Sequence, residues 1–303
     1  MAFIVPKDWF GFFDEINHRF RLLLYKGIIT GIDPIQLNGW LANFRSPEDK
    51  YLAAHVLNGL TYRSGAMVRS SFLHLVHCEL LPVLRTSANL VFPDLEAFDA
   101  SLHSGDESSA LRFVAVDGTF EETPGKSGSV VIRQFRRHLR VSKRLLCRPE
   151  NISGLPDTVR ALVFVDDMVG TGRQFKTFAE FYKLADHVDK RALIYCPLLA
   201  FDEGVAKIKM ALPWLEIHPV ETLSASHRFF RPSADNPQLW GADSTNLVQD
   251  VRTHVTELCR RGGLPEKTRH SLDLLVAFEH AVPNNSMPLL SIKTGRWQPL
   301  FDR

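Results

Sequence analysis

The chain of 303 residues has few cysteines, almost no excess of charge of one sign and no long apolar run. Its four cysteines (Cys78, Cys147, Cys196 and Cys259) lie far apart without a CxxC pair, which excludes a disulfide scaffold and argues against a zinc site. Lys and Arg number 36 and Asp and Glu 34, so the overall charge predicts no polyanionic partner. No stretch approaches the roughly 20 apolar residues of a membrane helix, and the first residues lack the regions of a signal peptide. We therefore expect a soluble, cytoplasmic protein that does not associate with membranes.

The order of the predicted elements indicates an α/β protein with a helical start. Residues 8–87 carry apolar side chains at steps of three and four residues, the spacing of helices. Further along, short apolar runs alternate with helical segments, which predicts a parallel sheet with right-handed crossovers. The predicted strands cover residues 111–116, 161–167, 191–200 and 214–220.

The same pattern suggests how the chain divides into parts. Helices are predicted from about 129 to 144, from 174 to 185 and from 246 to 260, and the chain closes with a strand-like run at 272–278. We expect a helical N-terminal extension (1–65), an α/β core (66–221), and a hood-like C-terminal segment (222–303) that completes the core and covers its site.

The most informative segment, residues 162–174, runs from the second predicted strand into a glycine-rich turn, LVFVDDMVGTGRQ. Ligands bind open α/β sheets at the carboxyl ends of strands. Asp166 and Asp167 end the predicted strand, and adjacent carboxylates can bind two ribose hydroxyls, directly or through Mg²⁺. Backbone amides of a tight turn before a helix bind phosphate, so we expect phosphate ligands among Gly170, Thr171, Gly172, Arg173 and Gln174. The alternative is a structural turn in which Asp167 only caps the next helix.

This segment resembles the phosphoribosyl pyrophosphate (PRPP) signature of type I phosphoribosyltransferases, in which a strand leads into two acids and a Thr/Gly-rich loop. Asp166, Asp167, Thr171 and Gly172 match that signature. The resemblance implies a phosphoribosyltransferase-like parallel sheet flanked by helices. It also implies Mg²⁺ as a cofactor, with Asp166 and Asp167 as catalytic and metal-binding residues.

Three positions depart from the signature. Gly170 stands where a hydroxyl residue is common, and Arg173 and Gln174 stand where small or hydroxyl residues are usual. The missing hydroxyls remove phosphate ligands. We expect Arg173 to compensate by folding inward for a charge-assisted phosphate contact.

A second glycine-rich loop, TPGKSGS at residues 123–129, follows the first predicted strand. Its Gly-Lys-Ser resembles a P-loop, but that motif needs a glycine five residues before Gly125, and Phe120 stands there. A divergent P-loop ATPase is therefore the less favoured alternative. Under the phosphoribosyltransferase interpretation, the loop binds pyrophosphate through Lys126, Ser127, Gly128, Ser129 and Arg133.

Arginines follow this loop at steps of three and four residues, which predicts one basic helical face made of Arg133, Arg136, Arg137, Arg140 and Arg144. A solvated face is the simplest interpretation. The alternative is a surface that attracts a nucleotide, a polyphosphate or a nucleic acid.

Polar side chains follow the strand-like run near the C-terminus, where His280 precedes Asn284 and Asn285. We expect the strand to deliver them to the carboxyl edge of the sheet, where Asn amides can donate to and accept from a base or a ribose. The alternative is an Asn-rich turn that satisfies its own backbone.

The helical start, the two loops and the ending PNNSMPLL together resemble a narrower family, the phosphoribosyltransferase-like proteins of prokaryotic conflict (antiphage defence) systems, PRTase-CE. The resemblance covers about residues 40–303 and implies an effector or sensor of antiviral defence with a protein partner. The leading hypothesis is a protein that binds PRPP or a nucleotide with Mg²⁺. If it is an enzyme, it acts at ribose C1, by phosphoribosyl transfer or by cleavage of a glycosidic bond. The second hypothesis is a non-catalytic nucleotide sensor that gates a partner protein.

Overall fold

The computed structural model describes residues 3–116, 127–231, 243, 245–268 and 270–302. Its α-helices are α1 (Trp9–Tyr25), α2 (Pro34–Leu41), α3 (Pro47–Asn58), α4 (Gly65–His74), α5 (Leu81–Ser87), α6 (Leu95–Ser104), α7 (Ser127–Leu139), α8 (Arg173–Phe181), α9 (Asp202–Ala211) and α10 (Val248–Gly262). Its strands are β1 (Thr61–Arg63), β2 (Leu111–Ala115), β3 (Leu146–Cys147), β4 (Ala161–Val169), β5 (Ala192–Phe201), β6 (Glu216–Ile217), β7 (Glu221–Leu223) and β8 (Val276–Phe278).

The chain forms two compact units. One contains residues 1–66 and 224–303, and the other contains residues 67–223. The first unit has a core of its own, to which α1–α3, α10 and the C-terminal residues contribute. The expected division at 65 and 221, and the expectation that the C-terminal segment covers the site, stay predictions. None of the helices in the described part of the chain combines the length and the hydropathy that a membrane span requires.

Helix α3 in the first unit begins with a typical N-terminal cap. The Ser46 hydroxyl accepts a hydrogen bond from the Asp49 amide at 3.2 Å, and the Asp49 carboxylate accepts one from the Ser46 amide at 3.3 Å. This reciprocal pair is a capping box. Pro47 occupies the first helical position, where its missing N–H leaves no bond unmade.

The second unit is built on a parallel sheet in the order β3-β2-β4-β5-β6, with β7 also pairing with β5. The predicted parallel α/β architecture is therefore confirmed. β2 and β4 are buried along their whole length, as parallel strands covered on both faces are. Within the predicted strand at 214–220 only the two-residue β6 forms, and a further short strand, β7, follows it; the two pair with different parts of β5.

The order of the strands contains a switch point between β2 and β4. From β2 the chain passes through α7 to β3 on one side, whereas from β4 it passes through α8 to β5 on the other. Neighbouring crossovers that leave in opposite directions open a crevice at the carboxyl ends of the two strands, where open α/β sheets bind their ligands. The topology thus selects the carboxyl ends of β2 and β4 as the position of a candidate site.

The strand near the C-terminus lies in a different sheet from the one the sequence suggests. β8 is shorter than the predicted run at 272–278 and pairs in parallel with β1, with Thr61 beside Val276 and Arg63 beside Phe278. Both strands belong to the first unit. The expectation that this strand contributes its polar ending to the main sheet is wrong, because β1, a three-residue strand between α3 and α4, is its partner.

Candidate functional site

The candidate site starts with Asp166, a carboxylic acid buried in the last part of β4. The residue is 1% exposed. The Tyr195 hydroxyl donates a hydrogen bond to its Oδ2 at 2.6 Å, and the Asp167 amide donates one to its Oδ1 at 2.9 Å. Both acids lie within the strand, which continues two residues beyond its predicted end, to Val169.

The surroundings of Asp166 are aromatic. Tyr195, on the neighbouring strand β5, stacks on Phe175 of α8 with ring centroids 3.9 Å apart, and Phe164 meets the Phe175 ring edge-on at 5.5 Å. These rings belong to the buried core on one face of the sheet. A carboxyl group in such surroundings has little water to stabilise its charge.

This burial perturbs the acid–base properties of the pair. Burial, and then the negative charge of Asp167, raise the pKa of the Asp166 carboxyl well above its usual range. Burial and the charge of Asp166 likewise raise the pKa of the Tyr195 hydroxyl, so this hydroxyl stays protonated and donates a hydrogen bond to Asp166. A buried carboxyl perturbed by desolvation and by a second acid, on a strand beside the switch point of the sheet, is a candidate for a functional site.

The turn after β4 is shaped by Gly170 and Gly172, which the sequence pattern predicts as part of the site, and by Gly204, which that pattern does not single out. Gly172 has a φ of +79°, which favours glycine, and a Cβ there would lie 2.7 Å from the Gly204 carbonyl oxygen. A Cβ on Gly204, in the first turn of α9, would overlap the carbonyl oxygen of Gly170. The turn 170–172 therefore rests directly on the backbone of α9. Gly204 could have been suspected as a glycine just after the third apolar run.

Helix α8 begins at Arg173, directly after this turn, and Gly172 at its N-cap supplies no side-chain hydrogen bond. The first N–H groups of a helix have no partner within it, and they carry the positive end of its dipole. Thr171 is partly exposed beside them, and Arg173 and Gln174 are exposed. The side chain of Arg173 thus points outward here, and its predicted contact with a phosphate stays a prediction.

The second predicted loop is described only from Ser127 onward, and Lys126 lies outside the described residues. Helix α7 begins at Ser127, so Gly128 and Ser129 fall in its first turn, and Arg133 is exposed one turn further on. Because β2 and β4 are parallel neighbours, the helices that follow them, α7 and α8, begin at the same edge of the sheet.

The predicted basic face is shorter than the arginine spacing suggests. Helix α7 ends at Leu139, and Arg140 adopts a left-handed conformation with a φ of +53°. Arg144 lies in a separate 3₁₀ turn, Lys143–Leu145. The expectation of five arginines on one helical face is therefore wrong: only Arg133, Arg136 and Arg137 lie in the helix.

The polar residues near the C-terminus lie in the first unit, after β8. The Asn285 side-chain amide donates to the backbone carbonyl of His270 at 2.8 Å, and the backbone carbonyl of Asn285 accepts a hydrogen bond from the Leu272 amide at 3.0 Å. The Asn284 carbonyl accepts from the Thr268 hydroxyl at 2.5 Å. His280 is partly buried. These bonds tie the two asparagines to Thr268, His270 and Leu272 rather than to the backbone of their own turn. The base or ribose contacts of His280, Asn284 and Asn285 stay predictions.

The residues present fit one mode of Mg²⁺ binding. Within the described residues, no group of three or more His, Cys, Asp or Glu side chains could hold a metal ion. Mg²⁺, however, often binds through one or two carboxylates and completes its shell with water and substrate phosphates. Asp166 and Asp167 can supply that oxygen pair but not a complete metal site.

A parallel sheet with paired acids and a glycine turn beside its switch point defines a phosphoribosyltransferase-like α/β protein of type I. The family model PRTase-CE matches residues 37–303, most of the chain. The chain therefore belongs to the PRTase-CE family, as the resemblance of its motifs predicts. No curated protein matches its sequence significantly.

Proposed function

We propose that this protein binds a ribose phosphate, PRPP or a nucleotide, together with Mg²⁺, in the crevice between the carboxyl ends of β2 and β4. We further propose that it acts as an effector or sensor in prokaryotic antiviral defence, as its family resemblance implies. The observation that carries the binding proposal is the coincidence of Asp166, Asp167 and the turn 170–172 with the switch point of the sheet.

Residues of β4 and α8 would contact different parts of such a ligand. Asp166 and Asp167 would hold the ribose hydroxyls, and the backbone amides after Gly172 would hold the 5′-phosphate. A pyrophosphate or another leaving group would lie towards the start of α7. Mg²⁺, when bound, would supply positive charge to the phosphate oxygens. If the protein is an enzyme, the acids would stabilise positive charge that develops at ribose C1.

A non-catalytic nucleotide sensor is the second candidate, and the state of Asp166 favours it. A carboxyl group whose neutral form is favoured must lose its proton before it can stabilise a cationic transition state or bind a metal fully. Gly170 and Gln174 also lack the hydroxyls usual in the signature. Both features lower the expected catalytic power while leaving the shape of the phosphate turn intact.

Thermal unfolding with a panel of ligands tests the binding proposal. The panel contains PRPP, nucleoside monophosphates and ATP, each with and without Mg²⁺. A ligand at 100 times its dissociation constant stabilises the folded state by about 2.7 kcal/mol, and we expect PRPP to do so only with Mg²⁺. A panel without any stabilising ribose phosphate would contradict the proposal.

A turnover assay on the ligand that binds separates the two candidate functions. Release of pyrophosphate or of a free base identifies an enzyme, whereas saturable binding without turnover identifies a sensor. Hydrolysis of ATP would instead support the alternative of a divergent P-loop ATPase.

A further inference from the structure

A cavity of about 360 Å³ lies at the amino edge of the main sheet, opposite the candidate site. Its volume falls at the lower end of the range for small-molecule sites. Arg160 and Arg191, which immediately precede β4 and β5, line it together with Glu216 at the start of β6. Asp166 lies six positions after Arg160 along extended chain, or about 20 Å at the rise of a strand. The cavity is therefore separate from the crevice at the carboxyl edge.

Arg191 in the wall of this cavity is a buried cation with unused hydrogen-bonding capacity. The residue is 5% exposed. Its Nη2 donates to the Leu155 carbonyl at 3.3 Å, but Nε and Nη1 are buried without a hydrogen-bond partner among the described residues. A buried guanidinium without acceptors is strongly unfavourable. An anion in the adjoining cavity would supply acceptors that the protein does not.

Two further cations line the same cavity. Arg160 donates hydrogen bonds to the carbonyls of Ala88 and Asn89 beyond the end of α5, which hold its guanidinium in place. Lys190 pairs with Asp157 at 3.1 Å, but both side chains are more than half exposed, and such surface pairs are weak. Lys190 can therefore turn to an anion at small cost. Three cations around one cavity favour a phosphate group over a neutral ligand.

The remaining lining residues suit the rest of a nucleotide. Trp214 is partly buried, packs against the core beneath the sheet and also lines the cavity, and an indole ring can stack on a planar base. Asp189 and Glu216 line the cavity as well, and their carboxylates can accept hydrogen bonds from hydroxyl or amino groups.

We propose that the cavity at the amino edge is a second binding site, which takes a mononucleotide. Its phosphate lies beside Arg191 and Lys190, and its base lies against Trp214.

The test measures binding of adenosine monophosphate to the full chain in which Asp166→Asn and Asp167→Asn disable the carboxyl-edge site. Tryptophan fluorescence and titration calorimetry both follow the binding. We expect saturable binding in this background, at least tenfold weaker binding after Arg191→Gln, and loss of the fluorescence change after Trp214→Phe. Lys209→Gln, which removes an exposed lysine of α9 outside the cavity, should leave the affinity unchanged.

A second variant keeps the test decisive if removal of the buried arginine prevents folding. Lys190→Gln alters an exposed side chain and should weaken the nucleotide at least threefold, and inorganic phosphate should compete with the nucleotide. No binding in the Asp166→Asn, Asp167→Asn background would overturn the proposal. Equal affinities for Lys190→Gln, Lys209→Gln and the background protein would overturn it as well. Because the carboxyl-edge site is disabled throughout, failure here leaves the proposed function untouched.

Discussion

Asp166→Asn should change how the stability of the apo protein depends on pH. The folded state raises the pKa of Asp166, mainly through burial, whereas the unfolded carboxyl ionises near its ordinary pKa of about 3.9. The folded protein therefore holds this proton at pH values where the unfolded chain has lost it. The contribution of protonated Asp166 to the free energy of unfolding is fully present below about pH 4, and it is lost as the pH rises through the folded-state pKa.

The magnitude follows from linkage. Between the two pKa values, the wild type should lose about 1.4 kcal/mol of unfolding free energy per pH unit relative to the variant. The amide itself should be tolerated, because its oxygen can keep the bond from the Asp167 amide. The Tyr195 hydroxyl, which now donates to Oδ2, can rotate and accept from the amide nitrogen. We expect the variant to be at least as stable as the wild type at pH 7.

Urea unfolding of both proteins at several pH values from 5 to 8 measures this difference. Asp157→Asn, which removes a carboxyl whose side chain is 77% exposed, controls for the loss of one acidic group. Parallel stability profiles for wild type and Asp166→Asn would refute the reasoning. So would a uniform loss of about 2 kcal/mol in the variant, since a buried charge with good partners would then stabilise the fold.

Three further substitutions probe the proposed ribose-phosphate site and the turn beside it. Arg173→Gln should weaken the binding of a ribose phosphate at least about tenfold, roughly 1.4 kcal/mol, and reduce the salt dependence of binding measured by calorimetry. An unaltered affinity would show that Arg173 is a surface residue that does not contact the ligand. Lys126→Ala, outside the described residues, should weaken the binding of PRPP by about 1.5–3 kcal/mol and the binding of a monophosphate less. Equal losses for the two ligands would contradict a pyrophosphate-binding role for Lys126. Gly204→Ala should destabilise the protein by about 1–3 kcal/mol in urea unfolding, because its Cβ overlaps the Gly170 carbonyl. Gly154→Ala, where a Cβ meets nothing within 4 Å, is its matched control.

The sheet and the position of its acids could be predicted because their signals are local. Continuous apolar runs that alternate with helical segments are typical of buried parallel strands. Such runs predict β2, β4 and β5 to within a few residues of their observed bounds. Asp166 and Asp167 interrupt one run at its carboxyl end, where the topology of the fold places ligands.

Features that depend on distant parts of the chain could not be predicted. Strand β8 pairs with β1 across more than 200 residues of sequence, and no local sequence pattern predicts that pairing. The contacts of Tyr195 with Asp166 and of Gly204 with Gly170 depend in the same way on how β5 and α9 lie beside β4. The arginine periodicity also continues beyond Leu139, although the helix ends there without a glycine to signal it.

Titration calorimetry of PRPP tests the central claim most directly. It compares the wild type with the Asp166→Asn, Asp167→Asn variant, each with and without Mg²⁺, and thermal unfolding confirms that the variant is folded. We predict saturable binding to the wild type that requires Mg²⁺ and is absent from the folded variant. Equal binding to both proteins, or binding that is indifferent to Mg²⁺, would contradict the assignment of the two acids to the site.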